Sequence, residues 1–552
     1  MKQRAFFSNG GSNILTEVFY NGAIITMEEE NCGESTNNEP EAVCVKDGVI
    51  VGVGSLDDIK KIAGSKAIFT NLEGKCLMPS FVDSHSHITM NGQMAMLARL
   101  GDCTSYDDII NVLKKYIADN KIGPNGAVLG FGYDHNFLKE KRQPDKKVLD
   151  KVSTEIPIMI LHVSAHLACV NSKALELAGI TSETIDPEGG VIGRLDNSSE
   201  PSGYLEENGM SEVRGIISKR IKPDIKAMIK GMQDDYISHG ITTAQDGATT
   251  KSDLTILKIM SLLGMLKLDV VAYPLMTSGG EKLLHKNRVH VKKYKRRLKI
   301  GGYKLVLDGS PQGRSAWMTE PYLGSKPDYC GYPWMSDEQV EKYAKVAVSE
   351  GQQLLAHCNG DAASEQFLNA YEKAIEQIPS REELRPVMIH CQTVRNDQLE
   401  RMTKIGMIAS IFVGHVFYWG DIHKINFGDK RGNHISPVRD AIDMGVHVNF
   451  HQDTPVTAPD VMHSVWAAVN RVSREGTVVG EDQKVSVYEA LRAVTIEGAY
   501  QYFEEDSKGS IKVGKRADLV VLSQSPVEVP KESIKDIKVL RTIKDGRTIY
   551  IV

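Results

Sequence analysis

The two ends of the chain alternate apolar and polar residues. "EVFYNGAIITM" (17–27), "EAVCVKDGVIVGVG" (41–54) and "AIFTNLEGKCLMPSFVD" (67–83) are rich in β-branched and aromatic residues, with Asn21–Gly22 and Asp47–Gly48 as breaks. Such pairs between β-rich runs predict hairpins. The C-terminal end repeats the pattern in "GSIKVGKRADLVVLS" (509–523) and "VLRTIKDGRTIYIV" (539–552). A hairpin by itself is marginal, so residues 1–78 and 508–552 are expected to pair into one composite β-sandwich.

Between these ends the period changes. "GQQLLAHCNGD" precedes "AASEQFLNAYEKAIEQI", "RPVMIHCQ" precedes "NDQLERMTKIG", "MIASIFVGH" follows, and "GVHVNFHQD" leads to "DVMHSVWAAVNRVSRE". Continuous apolar strands separated by helices of about 10–15 residues predict a parallel sheet with helices outside it. The strands end in polar, reactive residues, and no G-x-G-x-x-G follows a first strand. The α/β reading is therefore a (β/α)₈ barrel over 79–507, in preference to an open dinucleotide-binding sheet. Residues 90–230 fit neither period well and are expected to form an inserted subdomain.

Composition narrows the function classes. With 552 residues, 41% hydrophobic and 25% charged, the chain has the make-up of a globular protein large enough for a barrel with attachments. A net charge of −5 and a pI near 6.4 argue against a dedicated nucleic-acid binder. The N-terminal residues hold no apolar core of signal-peptide length, and no uncharged apolar run is long enough for a membrane span. Eight scattered cysteines without a C-x-x-C suit a reducing compartment. The expectation is a cytoplasmic protein with a small-molecule substrate and no nucleic-acid or membrane partner, a homodimer being left open. The eight Lys/Arg within 285–300 read as a solvated face.

"FVDSHSHITM" (81–90) then raises a chemical question, because His85 and His87 stand one residue apart after an apolar run. On a strand such a pair shares one face about 7 Å apart, which is half of a metal site. Alone it reads more readily as two ordinary loop or surface histidines. Further strand ends add donors: His357 ends "QQLLAH", His390 ends "PVMIH", and Asp453 follows "VHVNFHQ". Together these nitrogen and carboxylate groups suit one or two divalent ions, zinc first. In "GGYKLVLDGS" (301–310), alternation puts Lys304, Val306 and Asp308 on one face, and a lone ammonium in a barrel core is costly.

The ordered segments "LMPSFVDSHSH", "ISHGITTAQDG", "YKLVLDGSPQGRSA", "LLAHCNGDAA", "VMIHCQ", "SPVRDAIDMGVHVNFHQDTPV" and "GSIKVGKRADLVVL" resemble the amidohydrolase superfamily. Within it they resemble amidohydrolase family 3, the YtcJ-like and N-substituted formamide deformylase-like hydrolases. "HLACVNSKAL" and "DPEGGVIGR" resemble that group's inserted region. The resemblance implies a metal-dependent barrel in which His85 and His87 hold a first metal and His357 and His390 a second. It implies that Asp453 is both ligand and general base, with His390 as its catalytic companion. Lys304 matches a lysine that is carboxylated in many relatives and bridges two metals. One departure stands out: "FHQDTP" carries His451 and Gln452 where relatives commonly have a small Ser or Thr. His451 shares the face of Asp453 if strand geometry persists.

The implied reaction is hydrolysis of a carbon–nitrogen bond, with a non-peptide amide of N-acyl or N-formyl type favoured. A metal-activated water would attack, and Asp453 would take its proton. Candidate substrate contacts are Tyr133 and Asp134 in "GYDHN", His166 before "LACVN", Arg314 and Trp317 in "QGRSAW", Trp419 after "GHVFY", and His451. The alternative is a deaminase of a heterocyclic or guanidine-like ring, although the H-x-x-E usual at such sites does not follow His357, where the chain reads "HCNGD". A non-catalytic protein on a decayed hydrolase scaffold is a third reading, disfavoured by the full ligand set.

Overall fold

The computed structural model describes residues 16–28, 40–135, 137–163, 167–187, 190–221, 225–378 and 383–552. They fall into two compact units, Met1–Ile88 with Gln233–Val552, and Thr89–Met232.

In the larger unit, apolar strands form two parallel arcs. One runs Leu298–Ile300, Asp269–Pro274, Ile241–Thr249, Phe81–Val82; the other runs Gly302–Val306, Gln353–Cys358, Val387–His390, Ile408–Ile411, Val448–Phe450. Helices Asp361–Gln377, Asn396–Lys404 and Val461–Asn470 follow their strands as the alternation in the sequence requires. A parallel bridge between Leu275 and Lys304 links the arcs at one flank. At the other flank, Ser84 Oγ donates to the Phe450 carbonyl at 2.9 Å. Val82, Val271, Tyr273, Leu355, Val387, Ile389 and Ile408, drawn from both arcs, share one buried cluster. Burying each such side chain contributes about 1.5–3 kcal/mol, so this core holds the strand ends above it at fixed spacing.

The chain ends contribute two further sheets. One is ordered Val49–Gly54, Ala42–Lys46, Thr16–Tyr20, Ile68–Asn71, and the other Ala23–Ile24, Cys76–Pro79, Leu519–Leu522, Val539–Lys544, Arg547–Ile551. Phe19, Val43, Ile50 and Leu77 pack with Leu519, Val521 and Ile543 in one cluster. Asp47–Gly48 and Asp545–Gly546 take positive φ at both residues and close hairpins, as their sequences predict. Asn21–Gly22 does not. Its flanking strands enter different sheets, and a Cβ on Gly22 would lie 2.2 Å from the Lys75 carbonyl. This glycine serves a close chain crossing, and the expected hairpin is absent.

Buried charges tie these ends to the first arc. Lys508 and Lys544 both donate to Asp269 at 2.7 Å, and Lys544 also reaches Asp518 at 2.6 Å. In the basic stretch, Lys292, Lys293, Lys295 and Arg296 are exposed as expected, whereas Lys299 is buried and paired with Glu504.

The smaller unit has a six-stranded sheet ordered Gly190–Arg194, Pro201–Glu207, Leu167–Val170, Ile158–His162, Val128–Tyr133, Ala98–Arg99. Its neighbours are parallel at one side and antiparallel at the other. Mixed pairing of this kind explains why the stretch matches neither simple period. No helix among the described residues is long and apolar enough to cross a membrane.

Candidate metal centre

His85 leaves the end of strand Phe81–Val82 and is 1% exposed. Its ring lies against Gly247, where a Cβ would meet His85 Cε1 at 2.4 Å, so only glycine leaves room for it. Tyr502 Oη donates to the Asp83 carbonyl at 2.8 Å and accepts from Gln245 Nε2 at 3.0 Å. Gln245 Nε2 also donates to the Ser84 carbonyl at 2.7 Å. These bonds turn Gln245 Oε1 toward His85 Nδ1, 2.6 Å away. The proton must therefore sit on Nδ1, leaving the Nε2 lone pair free.

That lone pair meets the other donors. His85 Nε2 and His87 Nε2 each lie 3.4 Å from Asp453 Oδ1, and the three donor atoms lie within 4.8 Å of one another. Asp453 Oδ1 is buried without a hydrogen-bond partner. A hydrogen bond would close to about 2.7–3.2 Å, whereas tetrahedral zinc with bonds of about 2.0–2.1 Å sets its donors about 3.3 Å apart. An orphaned carboxylate oxygen at that spacing from two imidazoles fits a divalent ion. Lys304 Nζ lies 3.3 Å from His85 Nε2 in the same place.

His390 and His357 meet differently. His390 Nε2 is 2.9 Å from His357 Nδ1, a hydrogen-bonding distance. The His390 ring centre lies 5.7 Å from that of His85 and 5.1 Å from that of His451. His390 and Asp453 both have positive φ (77° and 53°), a conformation that costs a non-glycine residue about 1–3 kcal/mol and gathers at functional sites. The strand ends at Phe450, before His451. The chain turn at Asp453, not strand alternation, places both side chains here.

Electrostatics hold these groups in protonation states that can bind a metal. Burial, reinforced by neighbouring histidines and Lys304, pushes His85 and His390 well below the ordinary histidine range. It takes His357 to about 4 and His451 to about 3. Neutral imidazole is the metal-binding form. Burial would raise Asp453, but His87, His451 and Lys304 outweigh it and keep the carboxylate ionised. Burial lowers Lys304 to about 7 despite Asp453.

The sequence profile of the Amidohydrolase family matches residues 69–550. The chain belongs to the amidohydrolase family. It is 29% identical over 556 residues to YtcJ of Bacillus subtilis (strain 168), covering 97% of this chain and 99% of that one. It is 26% identical over 539 residues to the N-substituted formamide deformylase of Arthrobacter pascens, covering 94% and 96%. Among solved structures, it resembles an uncharacterized metal-dependent hydrolase from Pyrococcus furiosus, with a TM-score of 0.71 and 25% identity over 93% of this chain and 100% of that one.

In this amidohydrolase, the remaining sequence candidates are dispersed. Trp419 packs 5.9 Å from Phe412 between ring centres, and Phe412 lies 5.3 Å from His451, which makes an aromatic path to the histidines. Arg314 Nε donates to Asn426 at 2.8 Å. The Trp317 amide donates to Asp308 at 3.0 Å. Tyr133 and Asp134 belong to the smaller unit, where Tyr133 is fully buried in a core cluster. His166 lies outside the described residues.

Sequence reading missed Gln245, Tyr502 and the buried pair His415–His423, whose Nδ1 and Nε2 are 3.1 Å apart. "TTAQDG" and "GHVFYWGDIH" offered only polar residues near strand ends as a signal. Alternation puts Asp308 on the Lys304 face, and the fold supplies its partners. It accepts the amides of Trp317, Asn359 and Gly360, while burial raises it to about 7. A cavity of about 400 Å³ is lined by Tyr273, Lys299, Gln353 and Tyr502, with none of the candidate metal donors in its lining.

Proposed function

We propose that this amidohydrolase is a metal-dependent hydrolase of carbon–nitrogen bonds, acting on a non-peptide amide of N-acyl or N-formyl type. The observation that carries this reading is Asp453 Oδ1, buried, without a hydrogen bond and 3.4 Å from both His85 and His87. His85, His87 and Asp453 would hold a first divalent ion, zinc by donor type, and His357 and His390 a second beside Lys304. Such an ion polarises a carbonyl and makes water acidic enough to lose a proton near neutral pH. Asp453, ionised at rest, accepts the proton of the attacking water and returns it to the leaving nitrogen. Lys304, lowered to about 7, is partly unprotonated at neutral pH and can add carbon dioxide to become an anionic ligand. His451, Phe412 and Trp419 offer an apolar wall for the acyl or amine substituent.

The amide class is supported by the formamide deformylase relative. With Leu298–Ile300 and Gly302–Val306 counted as one strand interrupted at Gly301, the two arcs are read as one (β/α)₈ barrel, and the two terminal sheets as one composite sandwich, because one core cluster runs through each pair. The test is a panel of N-substituted formamides, other N-acyl amines and heterocyclic amines offered to the zinc-loaded chain. Release of an amine with formate or another acid supports the reading. Ammonia from the heterocycles alone would overturn it in favour of a deaminase.

A further inference from the structure

The smaller unit gathers metal-type donors of its own. Val128–Tyr133 and Ile158–His162 are neighbouring parallel strands, and their C-terminal ends bring Asp134 and His135 beside His162. The register shifts between Leu161 and His162, so that His162 pairs with Tyr133. A bulge at a strand end re-aims the side chain that follows it. Sites outside the carboxyl ends of parallel strands are where α/β sheets commonly place ligands.

The spacing is informative. His162 Nε2 lies 3.4 Å from Asp134 Oδ1 and 3.3 Å from His135 Nδ1, and the last two atoms are 3.8 Å apart. The first two are long for hydrogen bonds, whose usual range is about 2.7–3.2 Å, and the third lies beyond hydrogen-bonding reach. Two of them match the donor separation of about 3.3 Å around tetrahedral zinc.

The surroundings fix one donor. Tyr133 Oη donates to Gln143 Oε1 at 2.7 Å, which turns the Gln143 amide nitrogen to His135 Nδ1 at 3.0 Å. His135 Nδ1 is then an acceptor, with its lone pair in the cluster, and an arriving ion competes for it with the Gln143 amide and displaces the longer contact to His162 Nε2. His135 and Asp134 are partly exposed while His162 is buried, so an ion can enter against a fixed floor.

We propose that Asp134, His135 and His162 form a further divalent-metal site of the zinc class, built wholly within the unit Thr89–Met232. Two nitrogens and one carboxylate leave a fourth position for water or an exogenous ligand. The site needs none of the donors around Asp453, so it stands or falls apart from the proposed reaction.

The test strips the full chain with a chelator and titrates it with Zn²⁺ alone, counting bound zinc by equilibrium dialysis and elemental analysis. The wild type should bind one equivalent more than the double variant His135→Gln/His162→Gln, or bind that equivalent more than about tenfold tighter. The variant His85→Asn/His87→Asn should retain the same equivalent. Equal zinc in the wild type and a natively folded His135→Gln/His162→Gln protein would overturn the site, as would its loss in His85→Asn/His87→Asn. Should the double variant misfold, His135→Gln alone and an anomalous difference map of zinc-soaked wild-type crystals decide. A peak between the three donors supports the site, and an empty map overturns it.

Discussion

His85 Nδ1 and Gln245 Oε1 lie 2.6 Å apart across 160 residues of chain, and this bond decides which nitrogen of His85 faces the candidate metal. Gln245→Leu keeps much of the volume but removes the acceptor. Metal affinity at the His85 site should then fall about 10–100-fold, the usual cost of losing a group that orients a ligand. Gln245→Glu still accepts from His85 but sets a carboxylate oxygen against the Ser84 carbonyl that Nε2 bonded, and should recover only part of it. Chelator competition measures both, and unchanged affinity in Gln245→Leu would assign the ring's orientation to packing on Gly247 alone.

Asp453→Asn removes a proton acceptor at nearly constant volume. Turnover should drop by at least the 10²–10⁴-fold, roughly, that a general base supplies. Metal content and thermal unfolding must be measured on the same sample, because Asn can also release the ion. A metal-loaded variant with near-native kcat would transfer the base role to another group, His451 being in ring contact with His85.

Lys304→Ala should lower bound metal by about one equivalent if the lysine bridges two ions. Short carboxylic acids such as acetate or propionate should restore part of the metal and part of the rate. Elemental analysis with and without the acid checks this. Full metal and full activity in the alanine variant would exclude a ligand role.

Stability should fall in acid through Glu504. Burial raises this carboxyl, but Lys508 and Lys299 overcome that and bring it to about 2. A folded value below the ordinary glutamate value of about 4.3 means its contribution is complete above that pH. The contribution is then lost as pH falls toward 2. Glu504→Gln leaves the buried Lys299 ammonium with the Tyr502 carbonyl but no carboxylate and should cost about 3–5 kcal/mol at neutral pH. Denaturant unfolding between pH 7 and pH 3 should then show a shallower acid loss than in the wild type. Some acid loss remains, since Lys508 and Lys544 hold Asp269 low against its burial. An unchanged slope would contradict the assignment.

Much of this was legible locally. Alternation at the ends and continuous apolar runs in the middle mark the strands, because a strand's faces follow from period two. Asp–Gly pairs mark hairpins because both residues must adopt positive φ, a demand met within the turn itself. His85, His87, His357 and His390 were visible because each sits at or just beyond the end of an apolar run. What the tertiary structure alone decided is how these ends meet. Asn21–Gly22 carries a hairpin sequence, yet Lys75 crosses beside Gly22 and the strands part. Gln245 and Tyr502 have no local mark, since the bonds that make them matter join residues 160 and 257 positions apart. His451 and Asp453 converge through a chain turn that strand alternation does not describe. Residue type and period act over a few neighbours, whereas a donor's direction and tautomer depend on partners that only the packed core brings within hydrogen-bonding reach.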